Sequence, residues 1–388
     1  MLVNSRSVPA AILTPLLLLV VACDHRTEQQ STDTGASGRS SVAASTTGET
    51  VVHVYNWFDY IDPAMLEKFT AETAIRVVYD VYDANEVLET KLLAGNTGYD
   101  VVVPSLTFLE RQIRAGVFRK LDRSQIPNWT NLDPEILRQV SLIDPGNAHA
   151  VPYMWGTNGI GYNEGKVKAI MPDAPVDSWR LVFEPAIVSR FKDCGIGVLD
   201  SPSDVVPLVL IYLGKDANSE SKEDLRLAEE TLMAIRPYVR MIHSSALTDA
   251  LANGDLCLTV NWNCPVALAR ARAADAGMDD VITYSIPKEG TVGWYDSMAI
   301  PTDAPHAQNA HAFINFMQRP DVAAANSNFI NYANGNVASY PLINEGIRSD
   351  SGVYPSAEVK ARLTVDLSDS EQFSRSLNRT WSRFVAGK

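Results

Sequence analysis

The chain has 388 residues, of which 46% are hydrophobic, so it is long enough for two domains and can bury its own core. Its 33 Lys and Arg residues stand against 46 Asp and Glu residues, which gives a formal net charge of −13. This excess of acidic side chains argues against a nucleic acid partner, because affinity for a phosphate backbone comes mostly from cations.

An apolar run near the N-terminus predicts export. Arg6 precedes residues 10–21 (AAILTPLLLLVV), which are followed by Ala22 and Cys23. The run is short for a membrane span and has the order of a signal peptide, which we expect to cover residues 1–22. The segment VVAC resembles the bacterial lipobox, whose cysteine becomes the lipidated first residue of the mature protein. We expect lipidation at Cys23; the alternative is ordinary cleavage that leaves Cys23 as a thiol.

The segment that follows is predicted to be a tether. Residues 24–49 contain no Phe, Tyr or Trp and only one branched aliphatic residue, Val42. Such a segment cannot bury enough apolar surface to fold, so residues 23–49 are expected to be flexible. A tether behind a lipidated cysteine would hold the folded part in the periplasm near a membrane, with the lipid as the only membrane contact.

The folded part alternates between predicted strands and helices. Strands are expected at residues 51–55, 75–79, 100–104, 159–162, 197–199 and 256–260, and early helices at residues 63–72, 86–94 and 108–115. Continuous apolar runs such as residues 101–103 (VVV) are typical of strands buried on both faces, as in parallel sheets. The pattern predicts an α/β fold with two lobes.

Cysteine and histidine usage gives limited information. In an oxidising compartment, Cys194, Cys257 and Cys264 permit one disulfide and one remaining thiol, and their spacing alone does not choose the pair. The six His residues are scattered, so we expect no metal site.

Polar and aromatic side chains collect after the predicted strands, where ligands bind in open α/β sheets. These residues are Trp57, Asp59, Tyr60, Ser105 and Trp262, and the segment GTVGWYDSMAIP places Trp294 and Asp296 together in another apolar stretch. Carboxylates hold ammonium groups through charge-assisted hydrogen bonds, and aromatic faces attract cations. The pattern therefore indicates a pocket for an alkyl amine. The alternative is that the aromatic residues belong to the core, with one polar edge satisfied.

The chain resembles the putrescine-binding proteins of bacterial ABC importers in segments that include VYNWFDYIDP, VVVPS, VPYMWGTNGIGYN, LANGD and IPKEG. The resemblance runs from about residue 51 to residue 388. It implies a periplasmic solute-binding protein of the two-lobed type II fold, with the ligand in a cleft between the lobes. It also implies binding of putrescine or spermidine without a cofactor or catalytic residues, and delivery to permease and ATPase subunits at the inner membrane.

The resemblance also implies particular residues. The ligand-binding positions would be Trp57, Phe58, Asp59, Tyr60, Ser105, Asp204, Trp262, Trp294, Asp296 and Tyr332. The disulfide would join Cys194 and Cys257, which leaves Cys264 free. The first lobe would comprise residues 50–153 and 276–319, and the second lobe residues 154–275 and 320–388. Asp204, Trp262 and Tyr332 would then face the cleft from the second lobe.

One departure from the family pattern concerns the ligand. Putrescine binders carry an aspartate three residues after the tryptophan that matches Trp262, and here that position is Pro265. One hypothesis is that Asn261, Asn263 or water replaces the lost carboxylate. The other is that the ligand has a single ammonium end, as an ω-amino acid or an acylated polyamine does.

Two further classes of function remain as alternatives. An enzyme could use Cys264 as a nucleophile, although no histidine is placed to act as its base. A sensor lipoprotein would present its ligand to a membrane receptor instead of a transporter.

Overall fold

The computed structural model describes residues 50–278 and 281–388. The predicted signal peptide (1–22), the predicted tether (23–49) and the predicted lipidation site Cys23 lie outside the described residues. The described residues all fall within one compact unit. Among them, no helix has both the length and the apolar character that a membrane span requires.

Eleven strands are present in the described part of the chain. They are β1 (Val51–Trp57), β2 (Arg76–Tyr82), β3 (Val101–Val102), β4 (Ala150–Asn163), β5 (Ile196–Val198), β6 (Met241–Ile242), β7 (Leu258–Trp262), β8 (Ile282–Ser285), β9 (Thr291–Ala299), β10 (Ala333–Asn334) and β11 (Leu363–Val365).

The helices of the first half are α1 (Pro63–Thr73), α2 (Asn85–Ala94), α3 (Leu106–Arg114), α4 (Pro134–Val140), α5 (Glu164–Ile170), α6 (Arg180–Phe183), α7 (Pro185–Val188) and α8 (Pro202–Tyr212). Those of the second half are α9 (Lys222–Ile235), α10 (Ala246–Ala252), α11 (Asn263–Asp275), α12 (Ala307–Met317), α13 (Pro320–Ile330), α14 (Glu345–Arg348), α15 (Ala357–Lys360) and α16 (Glu371–Ala386).

Strand β4 is shared by the two halves of the sheet, in which the strand order is β2-β1-β3-β9-β4-β7-β5-β6. Residues 150–157 of β4 pair antiparallel with β9, and residues 158–162 pair antiparallel with β7. All 14 residues of β4 are buried. Parallel pairs lie to either side, β1 with β2 and β3 in the first half and β5 with β6 and β7 in the second. This is the α/β arrangement that the alternation of elements predicts.

Each half of the sheet has its own core. In the first half, Val54 of β1 packs in one cluster with Phe69 of α1 and Phe313 of α12. In the second half, Val198 of β5 packs in another cluster with Leu208 of α8. Both strands carry apolar residues on consecutive positions because helices cover the two faces of the sheet.

The early elements match their predicted positions closely. Helix α1 begins at Pro63, and the side chain of Asp62 accepts a hydrogen bond from the backbone nitrogen of Ala64, as expected of an N-cap. Strand β4 begins nine residues before the predicted strand at 159–162, because residues 150–157 pair with β9.

The packing differs from the predicted division into lobes in two places. Helix α13 and strand β10, assigned to the second lobe, join the first half: Val322 and Ile330 pack in its core, and β10 pairs with Met154 and Trp155. Strand β8, assigned to the first lobe, pairs with residues 160–163 in the second half. The physical reason is long-range pairing with β4, which local sequence patterns do not report. Helix α16 packs in the second core.

The disulfide that the resemblance implies is present. Cys194 and Cys257 are joined with their Cα atoms 5.6 Å apart, which ties the segment before β5 to the segment before β7. Cys264 is a buried free thiol.

Candidate functional site

Asp296 of β9 is a buried carboxylate held by two hydroxyl groups. The phenolic hydroxyl of Tyr60 donates to its Oδ2 over 2.7 Å, and the hydroxyl of Ser105 donates to its Oδ1 over 2.6 Å. Asn85 at the start of α2 fixes Ser105 in turn, with its Oδ1 accepting from the Ser105 backbone nitrogen and its Nδ2 donating to Oγ. Three segments therefore orient one carboxylate.

Burial raises the pKa of Asp296 to about 6, although the hydrogen bonds from Ser105 and Tyr60 lower it. The charge of Asp204 adds to the increase. Within the described residues, no cationic side chain forms an ion pair with Asp296. A buried carboxylate of this kind is stabilised when a cation is brought to it.

Aromatic rings form a continuous wall beside Asp296. The ring of Tyr60 meets the ring of Tyr332 edge-on with centroids 5.4 Å apart, and Tyr332 meets Trp294 edge-on at 5.1 Å. Trp294 lies two residues before Asp296 on β9, so the two side chains project from the same face of the strand. Such a wall suits a cation with an alkyl chain, because the rings attract the charge and cover the methylene groups.

Tyr332 joins this wall from the first half of the sheet, whereas we expected it to belong to the second lobe. It packs in the core of the first half together with Tyr60, and not on the second lobe. The left-handed residue Asn331, with φ +60°, ends α13 and turns the chain so that Tyr332 precedes β10.

Asp204 provides a second carboxylate from the other half of the sheet. It lies in the first turn of α8, where its Oδ1 accepts from Nε1 of Trp262 over 3.1 Å and from Nδ2 of Asn158 over 2.9 Å. Its Oδ2 accepts from the hydroxyl of Ser201 over 2.6 Å. Asn158 and Trp262 are opposite each other in the β4–β7 ladder. Asp204, on α8, and Asp296, on β9, therefore approach one cleft from the two halves of the sheet.

The segment after β1 divides between the cleft and the surface. Nε1 of Trp57 donates to the carbonyl of Val103 over 2.9 Å, so this indole is fixed beside the strand ends. Phe58 is 66% exposed, and Asp59, also exposed, has a left-handed backbone with φ +51°. The structure therefore brings Trp57 and Tyr60 into the buried network but leaves Phe58 and Asp59 at its rim.

Two polar residues of the cleft were not predicted. Asn158 is wholly buried in β4 and holds Asp204, and its position in a long segment made mostly of apolar residues and glycine is the signal that could have indicated it. Glu86, at the start of α2, is exposed, but partial desolvation of its carboxyl raises its pKa, with a further contribution from the charge of Asp204. It therefore adds a third carboxylate near Asp204.

Residues around Pro265 form the first turn of α11. Oδ1 of Asn261 accepts from the backbone nitrogen of Trp262 over 2.9 Å, so this side chain is engaged at its own strand end. Asn263 and Cys264 open the helix, and Pro265 is its third residue. None of these side chains is a carboxylate.

Cys264 lacks the properties of a nucleophile. Its thiol donates to the carbonyl of Ile330 over 2.6 Å, and burial raises the pKa of the thiol to about 12. A nucleophilic cysteine requires a thiolate, which is favoured by a lowered pKa and an exposed setting. The structure therefore gives the enzyme alternative no support.

Three comparisons with known proteins agree with this geometry. Residues 64–351 match the family model for bacterial extracellular solute-binding proteins. The putrescine-binding periplasmic protein SpuD of Pseudomonas aeruginosa is 49% identical over 87% of this chain and 92% of its own length. The putrescine-binding periplasmic protein PotF of Escherichia coli is 46% identical over 91% of this chain and 96% of its own length.

Solved structures confirm the two-lobed type II fold. The substrate-binding protein PotD of the spermidine/putrescine ABC transporter of Streptococcus pneumoniae superposes with a TM-score of 0.75 at 29% identity. That comparison covers 87% of this chain and 99% of the solved chain. The fold, the cleft and the matched residues together show that the chain belongs to the family of bacterial extracellular solute-binding proteins.

Proposed function

We propose that the protein binds a polyamine, putrescine or spermidine, in the cleft between the two halves of its sheet. The observation that carries this proposal is Asp296, a buried carboxylate with no cationic side chain paired to it in the described residues and with aromatic rings beside it. The relatives at 49% and 46% identity, both of which are putrescine-binding periplasmic proteins, support the same ligand class.

In this proposal the ammonium group binds at Asp296 and the alkyl chain lies along Tyr60, Tyr332 and Trp294. Trp57, Ser105, Asp204 and Trp262 complete the inner contacts, with Phe58 and Asp59 at the rim. A buried ammonium needs a carboxylate partner to offset its loss of hydration, and Asp296 offers one that is already desolvated.

Ligand binding would favour closure of the cleft. Asp296 belongs to the first half of the sheet and Asp204 to the second. A ligand that contacts both halves gains both sets of interactions only in the closed state, so it shifts the population toward that state. We propose that the closed form is the one delivered to the permease and ATPase subunits of an importer.

Pro265 favours a second candidate ligand. The first turn of α11 carries no carboxylate, so a second ammonium group would lack one of its partners there. Removing one partner of a buried ion pair costs about 3–5 kcal/mol. A ligand with one ammonium end, an ω-amino acid or an acylated polyamine, would avoid this cost.

The proposal places the protein in the periplasm, with a signal peptide over residues 1–22 and a lipid anchor on Cys23. A Cys23→Ser variant should lose incorporation of radiolabelled palmitate and remain otherwise folded. Labelling of the variant equal to that of the parent would contradict the anchor. Genes for a permease and an ATPase beside the gene would favour transport over the sensor alternative.

Isothermal titration calorimetry and thermal shift measurements would test the ligand class. The panel comprises putrescine, cadaverine, spermidine, agmatine, γ-aminobutyrate and N-acetylputrescine, with 1,4-butanediol as a control without charge. A ligand at about 100 times its Kd adds roughly 2.7 kcal/mol of stability, which is readily measured. Absence of stabilisation by every amine would contradict the proposal.

A further inference from the structure

Asp366 is a further carboxylate at the cleft, and it directly follows β11. Strand β11 runs parallel to β9 in a register that pairs Val365 with Gly293. The next step along both strands brings Asp366 to the level of Trp294, whose ring belongs to the aromatic wall beside Asp296. The chain therefore carries Asp366 to the wall from the opposite end of the sequence to Trp57 and Tyr60.

The first half of the sheet orients the carboxylate of Asp366. Its Oδ2 accepts a hydrogen bond from the hydroxyl of Thr107 over 3.0 Å. Thr107 lies in the first turn of α3, two residues after Ser105, whose hydroxyl donates to Asp296. The start of one helix therefore donates to both carboxylates.

Helix α8 encloses Asp366 from the second half of the sheet. Asp366 lines a small cavity together with Ser203 and Val206 of α8, and Ser203 directly precedes Asp204. Desolvation raises the pKa of Asp366 well above its usual value, with a further contribution from the charge of Asp204. Asp204 also adds to the raised pKa of Asp296, so it is close to both of the other carboxylates.

Hydrogen-bond donors are scarce around Asp204 and Asp366. Among the residues that the structure describes, none donates to Oδ1 of Asp366, and no Lys, Arg or His forms an ion pair with this side chain. Oδ1 of Asn158, the wholly buried amide that holds Asp204, has no donor either. Arg111, one turn beyond Thr107 on α3, is engaged by Glu89 through two hydrogen bonds. An ammonium group, which only donates, is the kind of group that these acceptors lack.

The cleft therefore offers two separate places for a cation. The first is Asp296 with its aromatic wall, and the second is formed by Asp204 and Asp366. Carboxylates held near each other out of water repel, and a cation between them replaces this repulsion with charge-assisted hydrogen bonds. In this arrangement the first turn of α11, where Pro265 lies, needs no charge.

We propose that the ligand carries two ammonium groups, the first bound at Asp296 and the second between Asp204 and Asp366. This inference rests on the proposed function, from which it takes the first ammonium group. Asp366 is then the residue that selects a diamine over a ligand with a single cation, and it offsets the absence of a carboxylate at Pro265.

Calorimetry on the full chain at pH 7.5 with three probes tests this assignment. Putrescine, 4-amino-1-butanol and γ-aminobutyrate share one ammonium group and a chain of similar length, and they end in an ammonium, a hydroxyl and a carboxylate respectively. We expect the Kd for putrescine to be at least about tenfold lower than that for 4-amino-1-butanol, because a hydrogen bond to a charged group contributes a factor of this order. γ-Aminobutyrate should bind most weakly, since its carboxylate would face Asp366.

Asp366→Asn locates the effect, because the amide keeps the size of the side chain and can still accept from Thr107. The Kd for putrescine should rise about tenfold, that for 4-amino-1-butanol should not change, and that for γ-aminobutyrate should fall. Thr107→Val removes the hydroxyl that orients Asp366 and should raise the Kd for putrescine about threefold. The matched control is Asp173→Asn at an exposed position, which should leave all three values unchanged. Circular dichroism melts establish that each variant is folded.

If the parent protein bound 4-amino-1-butanol or γ-aminobutyrate as tightly as putrescine, the inference would be overturned, because one cation would then suffice, while the ammonium site at Asp296 would stand. An unchanged Kd for putrescine in Asp366→Asn would also overturn it. So would an equal loss of affinity for all three probes, since Asp366 would then support the fold and not the second cation. Failure of these probes and of spermidine to bind the parent would instead contradict the proposed function itself.

Discussion

Ser105 occupies the N-cap position of α3, yet its hydroxyl donates to Asp296 over 2.6 Å and forms no hydrogen bond to its own helix. A serine at this position usually satisfies a backbone N–H of the first turn, which stabilises a helix by about 1 kcal/mol. Here the hydroxyl instead orients a carboxylate on a strand 191 residues later in the chain. Helix α3 therefore lacks a stabilising cap hydrogen bond, and the Ser105 hydroxyl holds the carboxylate of Asp296 in position instead.

Replacing Asp296 with Asn should make the empty protein more stable and abolish amine binding. Burial raises the pKa of this carboxyl from 3.8 to about 6, so keeping it ionised at pH 7.5 costs the folded state roughly 1–3 kcal/mol. The uncharged amide avoids this cost but offers an ammonium group no charge. Urea unfolding and calorimetry measure both effects.

The matched control is Asp173→Asn at an exposed position, which should change neither the free energy of unfolding nor the Kd for the amine. A lower free energy of unfolding for Asp296→Asn would show that the hydrogen bonds from Tyr60 and Ser105 outweigh the cost of burying the charge.

Amine affinity should fall as the pH drops through about 6. The folded-state pKa of Asp296 is raised above its unfolded value, so this group stabilises the empty fold only at low pH and its contribution is lost as the pH rises from about 4 to about 6. An ammonium group favours the ionised carboxylate, so binding near pH 6 should release protons. Calorimetry at pH 6 in two buffers of different ionisation enthalpy measures this release; proton uptake would contradict the assignment.

Trp262→Phe should weaken binding while leaving the fold intact. The change keeps most of the ring but removes the N–H that Asp204 accepts over 3.1 Å, so the carboxylate loses one of the groups that orient it. We expect a loss of about 1 kcal/mol in unfolding free energy and a Kd about tenfold higher. An unchanged Kd would mean that Asp204 is held well enough by Asn158 and Ser201.

Cys264 should resist thiol reagents in the native protein. Burial raises the pKa of its thiol to about 12, so thiolate is scarce at pH 8 and the sulfur is covered. Labelling with a chromogenic disulfide reagent should appear only after addition of denaturant. Rapid labelling of the folded protein would reopen the hypothesis that this cysteine is a nucleophile.

Removal of the disulfide should lower stability without affecting the ligand. Cys194 and Cys257 are 63 residues apart, and a crosslink closing a loop of that size contributes about 4 kcal/mol. Both residues pack in the core of the second half of the sheet, away from Asp296. The double Ser variant should therefore unfold at lower urea concentration and bind amines with the parent's Kd; a large change in Kd would contradict this.

Much of the candidate site could be predicted from strand ends. Ser105 follows β3, and ligands bind beyond the carboxyl ends of such strands. Trp294 and Asp296 lie within β9, which is antiparallel to β3 and β4, and only their position in an apolar segment indicated them. The exposure of Phe58 could not be predicted, because the left-handed turn at Asp59 that follows it has no local signal beyond residue type. Aromatic residues that are neighbours of a carboxylate in the sequence can therefore differ in exposure, and some lie in the cleft while others face solvent.

Other features depend on contacts between distant segments. Tyr332 joins the first core because β10 pairs with β4, some 180 residues earlier in the chain, and neither segment specifies the other locally. The Asn263 amide depends on the carbonyl of Gly352, to which its Nδ2 donates, and no pattern within α11 could indicate this contact. Hydrogen-bond partners of buried amides are decided by packing, and packing is what a single sequence reports least.

Strand β4 also determines how the protein unfolds. Its residues 150–157 complete the first half of the sheet and its residues 158–162 complete the second, with no break in the buried backbone between them. If one half melted, the other would lose the partner of its central strand, so neither half is an independent unit of stability. Two-lobed chains often unfold in steps, but this shared backbone favours a single cooperative transition, in which heat or denaturant removes the cleft and both cores together.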